Sequence, residues 1–441
     1  MHVIKVYSRM AYIADILDNY LDKNADQLLD QLTNSHSMLL DEIGSVIKEL
    51  WIPLDFAESS WPGRVAAVDG GSVGIRLDNG GLLAIISAYG ISEGFEERLA
   101  ECTIIYPPHP SYVSLLRQKL ELTTARKLIM KLKQGDLLLL DGSLYGLLSR
   151  PPITPVRAPN GYGSLLLDFY SELANLLNEA SNRGVWLVSI SKVSSSRFVR
   201  DYALYLIHQE EVSKLRSSRY LEPKDLQSIE TLLHEIFRNP MKAYMTVRRL
   251  KARYGALMNK IELIAREGLL KTPDLFLLKH YTNGAGFTRP LLLGPSSRLR
   301  DSYDNALANY REYTVRRLLL EEEKSDQARE TLQKLIDVTA VASFYLRLNP
   351  LDYPLKVDLP ASSIGIDRKF FDVVMPEPVD EDSVEKLVSS LKAMYGGKEV
   401  YNVWLYEADR RARLRKDEIR PLIEILERRI GQLGLARRAL L

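Results

Sequence analysis

Hydrophobic positions along this chain follow two periods. Over residues 1–50 they recur at helical spacing, with Ile13, Ile16, Leu17, Leu21, Leu28, Leu29 and Leu32 sharing a face. Pro53 and Trp61-Pro62-Gly63 break the chain there. Short, partly β-branched runs follow and predict strands at 65–69, 73–77 and 82–89. Asp78-Asn79-Gly80-Gly81 between the last two is a hairpin signal, because Asn-Gly tolerates the positive φ angles of tight turns. A further strand is expected at 102–106, stopped by Pro107-Pro108. Ser111 then caps a helix to about residue 133, apolar at Val113, Leu116, Leu120, Leu128 and Leu132. After Gly135 come a strand at 137–140, a helix at about 164–182, Gly184, and a strand at 185–190.

The order is three antiparallel strands, helix, strand, helix, strand. The later strands should lie parallel, joined by right-handed crossovers. That is the element order of an RNase H-like fold: an α/β protein whose mixed sheet is flanked by helices. Residues 1–60 read as an N-terminal helical region and 61–209 as the first part of the core. Residues 210–335 read as a helical insertion, and 336–441 as strands at 338–348 and 355–359 that complete the core, then C-terminal helices. Thr282 to Pro290 is expected as a flexible loop between helices.

The strands end on chemistry. Asp69 follows an apolar run and enters Gly70-Gly71; Asp141, with Gly142-Ser143, follows another. Either acid alone fits an ordinary β-turn. In the expected topology the two strands are neighbours, so both acids emerge together. The helix between them can add a third carboxylate, and Glu121 interrupts its apolar face; Glu96, Glu97 and Glu101 are alternatives by spacing. Carboxylates converging without His or Cys make a hard-oxygen site suited to Mg²⁺ or Mn²⁺ rather than zinc. Two such ions can activate a water and stabilise the leaving oxygen of a phosphodiester. The six histidines show no metal-ligand spacing.

Composition narrows the classes. A net charge of +2 is too small to argue nucleic-acid binding, so any basic surface must be local. Arg248, Arg249, Lys251 and Arg253, and Arg311, Arg316 and Arg317, form such stripes; a solvated helix face is their plainer reading. The single Cys102 excludes a disulfide framework, fits a reducing cytoplasm, and reads as a core residue. No apolar run has the length of a membrane span.

The stretches VAAVDGGS, LLLLDGSL and SISKVSSSR resemble the NurA nuclease family of archaea and some bacteria, as do SFYLRL, PLKVDLP and YNVWLYEADRRA. The likeness is dispersed over residues 64–415. It implies a Mn²⁺-dependent (or Mg²⁺-dependent) DNA nuclease acting in end resection, a homodimer partnered by the hexameric HerA translocase, with 5′-to-3′ exonuclease polarity and single-strand endonuclease activity. It implies metal-binding acids at Asp69, Glu121 and Asp141, and the family tyrosine at Tyr401. The family histidine falls on Asp409, which keeps a metal role but not imidazole chemistry; alternatively Asp409 pairs with Arg413 at i+4. Lys192 follows the strand at 185–190 and is expected to reach a phosphate, as are Arg410, Arg411, Arg413, Arg415 and Lys416. Two other readings are open: a phosphotransferase of the actin and sugar-kinase type, whose Asp-Gly turns cradle ATP phosphates, and a non-catalytic DNA-end adaptor.

Overall fold

The computed structural model describes residues 39–415 apart from 56, 156 and 271, together with residue 24 and parts of 419–440. The helical pattern expected over 1–38 lies outside the described residues except at Asn24; Leu40–Leu50 is its helical continuation.

A mixed sheet runs through the molecule. Its strands are β1 (Trp51–Pro53), β2 (Val65–Leu77), β3 (Leu82–Ser92), β4 (Phe95–Ile105), β5 (Leu137–Asp141), β6 (Trp186–Ser191), β7 (Gly286–Thr288), β8 (Leu291–Leu293), β9 (Val341–Arg347), β10 (Leu355–Pro360), β11 (Glu377–Pro378) and β12 (Leu435–Leu440). Along the main path the order is β1-β7-β9-β10-β6-β5-β2-β3-β4, with β8 on β9, β11 on β8 and β12 on β2. β2, β3 and β4 form an antiparallel meander. β5 and β6 add to β2 in parallel. Three antiparallel strands, helix, strand, helix, strand do follow in that order, but the three are not the ones expected: 65–69 and 73–77 merge into β2, and the third is β4, of which only 102–106 was anticipated.

Burial explains the two strand types. Leu137, Leu138, Leu139 and Leu140 are all buried because β5 is covered on both faces, so no polar position alternates with them. β4 ends the path, and its positions alternate between half-buried and exposed. Cys102 lies on the exposed set; the core placement expected for it was wrong because an edge strand covers only one face.

Alternate residues of β2 and β5 feed two cores. Ala66, Val68, Leu138 and Leu140 pack under the helices Pro110–Ile129, Tyr162–Arg183 and Ser325–Ile336. Val65, Ala67, Leu137 and Leu139 pack under the helices Asp382–Ala393 and Val403–Ala412. Each fully buried Leu here contributes about 1.5–3 kcal/mol. A third cluster joins Leu40–Leu50 to the helices between residues 198 and 281.

Three local expectations are corrected. The strands expected at 65–69 and 73–77 are one strand, so Gly70-Gly71 is not a turn. Residues 286–288 are the buried strand β7, paired with β1 and β9, not a flexible loop. The expected cap at Ser111 falls inside the first turn; the helix starts at Pro110, whose missing N–H costs nothing at that position. The Asn79 turn stands as expected: Gly80 has φ +82°, and Asn79 Oδ1 accepts from the Gly81 N–H at 2.9 Å. Among the described residues no helix is long and apolar enough to cross a membrane.

Candidate active site: carboxylates gathered at a glycine pair

The register of β2 on β5 pairs Val68 with Leu140, which sets Asp69 and Asp141 side by side. There the strands part. β5 stops, and Gly142 turns away at φ +111°. β2 continues through Gly70 and Gly71. These glycines sit on opposite faces because successive strand positions alternate. A Cβ on Gly70 would collide with the Glu121 carboxyl, and a Cβ on Gly71 with the Ala412 carbonyl. Glycine is needed here for close approach, not for a turn. The Pro110–Ile129 helix presses Glu121 onto the strand from one side, and the Val403–Ala412 helix seats its end on the other. Ser87 Oγ donates to the Ala412 carbonyl at 2.5 Å and ties that end down.

Asp69 is only 5% exposed. Its Oδ1 accepts from the Gly70 N–H at 2.7 Å. Burial, then the Asp141 charge, raises its pKa to about 7; Asp409 adds to the rise, while the Gly70 N–H and Arg117 oppose it. Burial raises Glu121 to about 8, against Arg117, with Asp69 and Asp141 adding to the rise. Arg117 Nη1 stands 3.1 Å from Glu121 Oε1 and donates to the Gly70 carbonyl at 3.1 Å. The angle leaves Glu121 Oε1 buried without a hydrogen bond. Arg117 was missed in the sequence, although its place one turn before Glu121 was a usable signal.

The remaining expected residues line the same region. Tyr401 donates its phenol to Asp141 Oδ1 at 3.0 Å, and burial holds its pKa far above the usual tyrosine value. Lys192 Nζ lies 4.5 Å from the centre of the Tyr401 ring. Asp409 faces Asp69 closely enough to raise its pKa, yet is gripped by Arg413 at 2.5 and 3.1 Å, as the i+4 pairing anticipated. A cavity of about 470 Å³ opens beside Lys192, Tyr401 and Asp409. On the helix side, a space of about 20 Å³ adjoins Glu121 and Asp141. That is room for one water-sized sphere.

The structure therefore gathers Asp69, Glu121, Asp141, Tyr401, Lys192 and Asp409. Glu97 and Glu101 turn instead to Lys131 and Lys119, and Glu96 to Arg411. Among the described residues no three acidic, His or Cys side chains stand in metal-ligand geometry. Holding a cation would require rotation of the carboxylates towards one another. The donor set fits a hard divalent ion: oxygens only, one of them buried and unsatisfied.

Several expected phosphate contacts are already spent on acids. Arg410 and Arg411 both bind Glu407, Arg411 also reaches Glu96, and Arg413 holds Asp409. In the stripes, Lys251 pairs with Glu262, Arg253 with Asp225, and Arg316 with Glu312. Arg248 and Arg249 are exposed.

Below the Asp141 turn lies a buried network that sequence reasoning did not find. Lys356 Nζ meets Asp358 Oδ1 at 2.6 Å, with both side chains at most 1% exposed. Asp358 also accepts from Ser143 Oγ at 2.6 Å, Ser343 Oγ at 2.7 Å and the Tyr145 N–H at 3.1 Å. The acidic-basic alternation in PLKVDLP, within a strand buried on both faces, was the available signal.

The chain matches the model of the NurA domain over residues 63–414. A 160-residue stretch is 31% identical to the DNA double-strand break repair nuclease NurA of Pyrococcus furiosus, spanning 34% of this chain and 33% of that protein. The match thus spans about a third of that relative's length. The fold overlays the NurA nuclease from Sulfolobus solfataricus at a TM-score of 0.51 with 15% identity, over 94% of this chain and 97% of that one. A NurA structure bound to dAMP and manganese overlays at a TM-score of 0.41 with 17% identity, over 93% and 97% of the two chains.

Proposed function

The chain belongs to the NurA family, and from that premise we propose that it is a divalent-metal-dependent deoxyribonuclease, hydrolysing DNA phosphodiesters during double-strand break repair. Asp69, Glu121 and Asp141 hold Mn²⁺ or Mg²⁺, two ions in our reading, and Asp409 completes the set where the family has histidine. Bound ions there supply positive charge to the phosphodiester and a more acidic water. Tyr401, kept as a phenol, fixes the orientation of Asp141 through their 3.0 Å hydrogen bond. The Lys192 ammonium, poised over the Tyr401 ring, receives a phosphate oxygen at the mouth of the larger cavity. Asp409 offers no imidazole at that position, and we assign it no part in proton transfer.

The observation that carries this reading is the convergence of Asp69 and Asp141 at neighbouring strand positions with the Glu121 carboxyl pressed against Gly70. Like charges held together in this way favour a cation or a proton between them. The family likeness further implies 5′-to-3′ polarity, single-strand endonuclease activity, a homodimer and a HerA-type translocase partner, and these belong to the proposal.

Cleavage of end-labelled DNA with Mn²⁺ tests it, wild type beside Asp69→Ala. We expect near-total loss in the variant, and the 5′ and 3′ labels separately report polarity. Equal cleavage by both proteins would refute the assignment. Nucleotide-dependent phosphotransfer without DNA cleavage would favour the kinase-type alternative, and DNA binding with no cleavage the adaptor.

A further inference from the structure

The turn between β9 and β10, residues 349–354, stands between two cavities. One is the 470 Å³ cavity beside Lys192 and Tyr401. The other, about 340 Å³, is lined by Lys279, Asn283 and Arg347. Asp352 and Tyr353 form part of both walls. At the tip Leu351 is 90% exposed, the most exposed large apolar side chain among the described residues. Leu351 thus sets an exposed apolar side chain at the rim of the second cavity.

The turn is braced. Pro350 and Pro354 restrict its backbone. Asn349 Oδ1 accepts from the Leu351 N–H at 2.9 Å, and its carbonyl from the Asp352 N–H at 3.0 Å. The Tyr395 phenol donates to Asp352, and Lys279 Nζ sits 5.1 Å from the centre of the Tyr353 ring. The second cavity carries the cationic Lys279; Arg347 in its wall is buried, its Nη1 and Nη2 donating to the carbonyls of Thr282, Gly284 and Leu278. One cavity thus opens beside Lys192, Tyr401 and Asp409, the other carries Lys279, and a stiff apolar edge divides them.

We propose that the 349–354 turn splits the end of a DNA duplex, sending one strand into the cavity beside Lys192, Tyr401 and Asp409 and the other into the cavity beside Lys279. Leu351 wedges against the terminal base pair, as apolar side chains do when they unstack a base step. Tyr353 offers a ring, 56% exposed, for a freed base. The displaced strand's phosphates meet Lys279. The idea rests on the nuclease reading for which strand is cut, but strand opening is separable from cutting.

The test uses a blunt duplex with 2-aminopurine in its terminal pair, and Leu351→Ser, a change at a solvent-exposed position that should spare the fold. In EDTA, where nothing is cut, wild type should raise the fluorescence and Leu351→Ser should lose at least fivefold of that rise. With Mn²⁺, the variant should degrade the duplex at least fivefold more slowly while its single-strand cleavage stays within twofold of wild type. Lys279→Glu should reproduce the duplex-specific defect. The proposal is overturned if wild type opens no end, if Leu351→Ser matches wild type on duplex, or if it slows both substrates equally. Should wild type cut neither substrate, the nuclease reading fails, and the fluorescence result alone decides the partition.

Discussion

Replacing Asp69 with Asn should stabilise the protein when no metal is present and abolish its response to Mn²⁺. Asn has the same shape, and its Oδ1 can still accept from the Gly70 N–H that Asp69 now engages at 2.7 Å. What it removes is a buried charge. Folding raises the Asp69 pKa from 3.8 to about 7. Its favourable contribution is therefore complete below pH 3.8 and is lost as pH rises through 7. Three pH units at 1.36 kcal/mol each set an upper bound of about 4 kcal/mol at pH 8. Coupling to Asp141 and Glu121 shares that cost among the acids, so about 2 kcal/mol is the expected gain. At pH 5 folded Asp69 keeps its proton while the unfolded chain has already lost it, so the difference should be about a third of that at pH 8, and it should vanish only below pH 3.8. The assay is thermal unfolding of both at pH 5 and pH 8, with and without Mn²⁺. Mn²⁺ at a hundred times its dissociation constant should stabilise wild type by about 2.7 kcal/mol and leave the variant unmoved. An Asp69→Asn protein no more stable than wild type at pH 8, or one that Mn²⁺ still stabilises, would refute the reasoning.

Three further outcomes follow from the same geometry. Asp69 near 7 and Glu121 near 8 both hold protons that a cation must displace; Mn²⁺ affinity should fall at least tenfold from pH 8 to pH 6, with proton release visible when titration calorimetry is run in buffers of different ionisation enthalpy, and an affinity flat with pH would count against it. Gly70→Ala puts a methyl into the space of the Glu121 carboxyl, and should cost roughly 1–3 kcal/mol of stability together with at least tenfold in Mn²⁺ affinity; a silent substitution would mean the close approach is unimportant. Tyr401→Phe removes the 3.0 Å bond to Asp141 and should cost about 1 kcal/mol of stability while lowering kcat roughly tenfold with Mn²⁺ affinity within a few-fold; unchanged kcat would remove Tyr401 from the mechanism.

Much of the sheet was legible because its signals are local. The apolar runs of β2, β5 and β6, the Asn79 turn and the helices between them each declare themselves within a few residues. Register then places Asp69 beside Asp141 with no further information, since parallel neighbours with matched runs end together. What stayed hidden was tertiary. Gly70-Gly71 reads as a turn or as a place of close approach, and only the positions of Glu121 and Ala412 decide between them. The arginines of the Val403–Ala412 helix looked available for phosphates, but Arg411 meets Glu96, which is 315 positions away. Buried β7 is too short to carry a period, and its partners β1 and β9 lie far off in sequence. The Lys356–Asp358 pair stayed hidden because nothing near it in the sequence shows that both faces of β10 are covered.

The glycine pair also explains how one point in a sheet can draw ligands from both sides. A strand normally separates its faces: Val68 belongs to one core and Ala67 to the other. Asp69 shares the face of Ala67 and of the Val403–Ala412 helix, whereas Glu121 descends from the opposite layer. Without a side chain at Gly70, and with β5 ending at Asp141, the barrier between the layers is missing at this spot. Acids from three separate elements can then feel one another, and a fourth, Asp409, adds to the load on Asp69. Arg117 and Arg413 offset two of those charges, but each is bound to a single carboxylate. Burial first, and then the charge imbalance that remains, raises the pKa values of Asp69 and Glu121. The fold keeps these acids together at a cost in stability, and a divalent cation is the ligand that would relieve it.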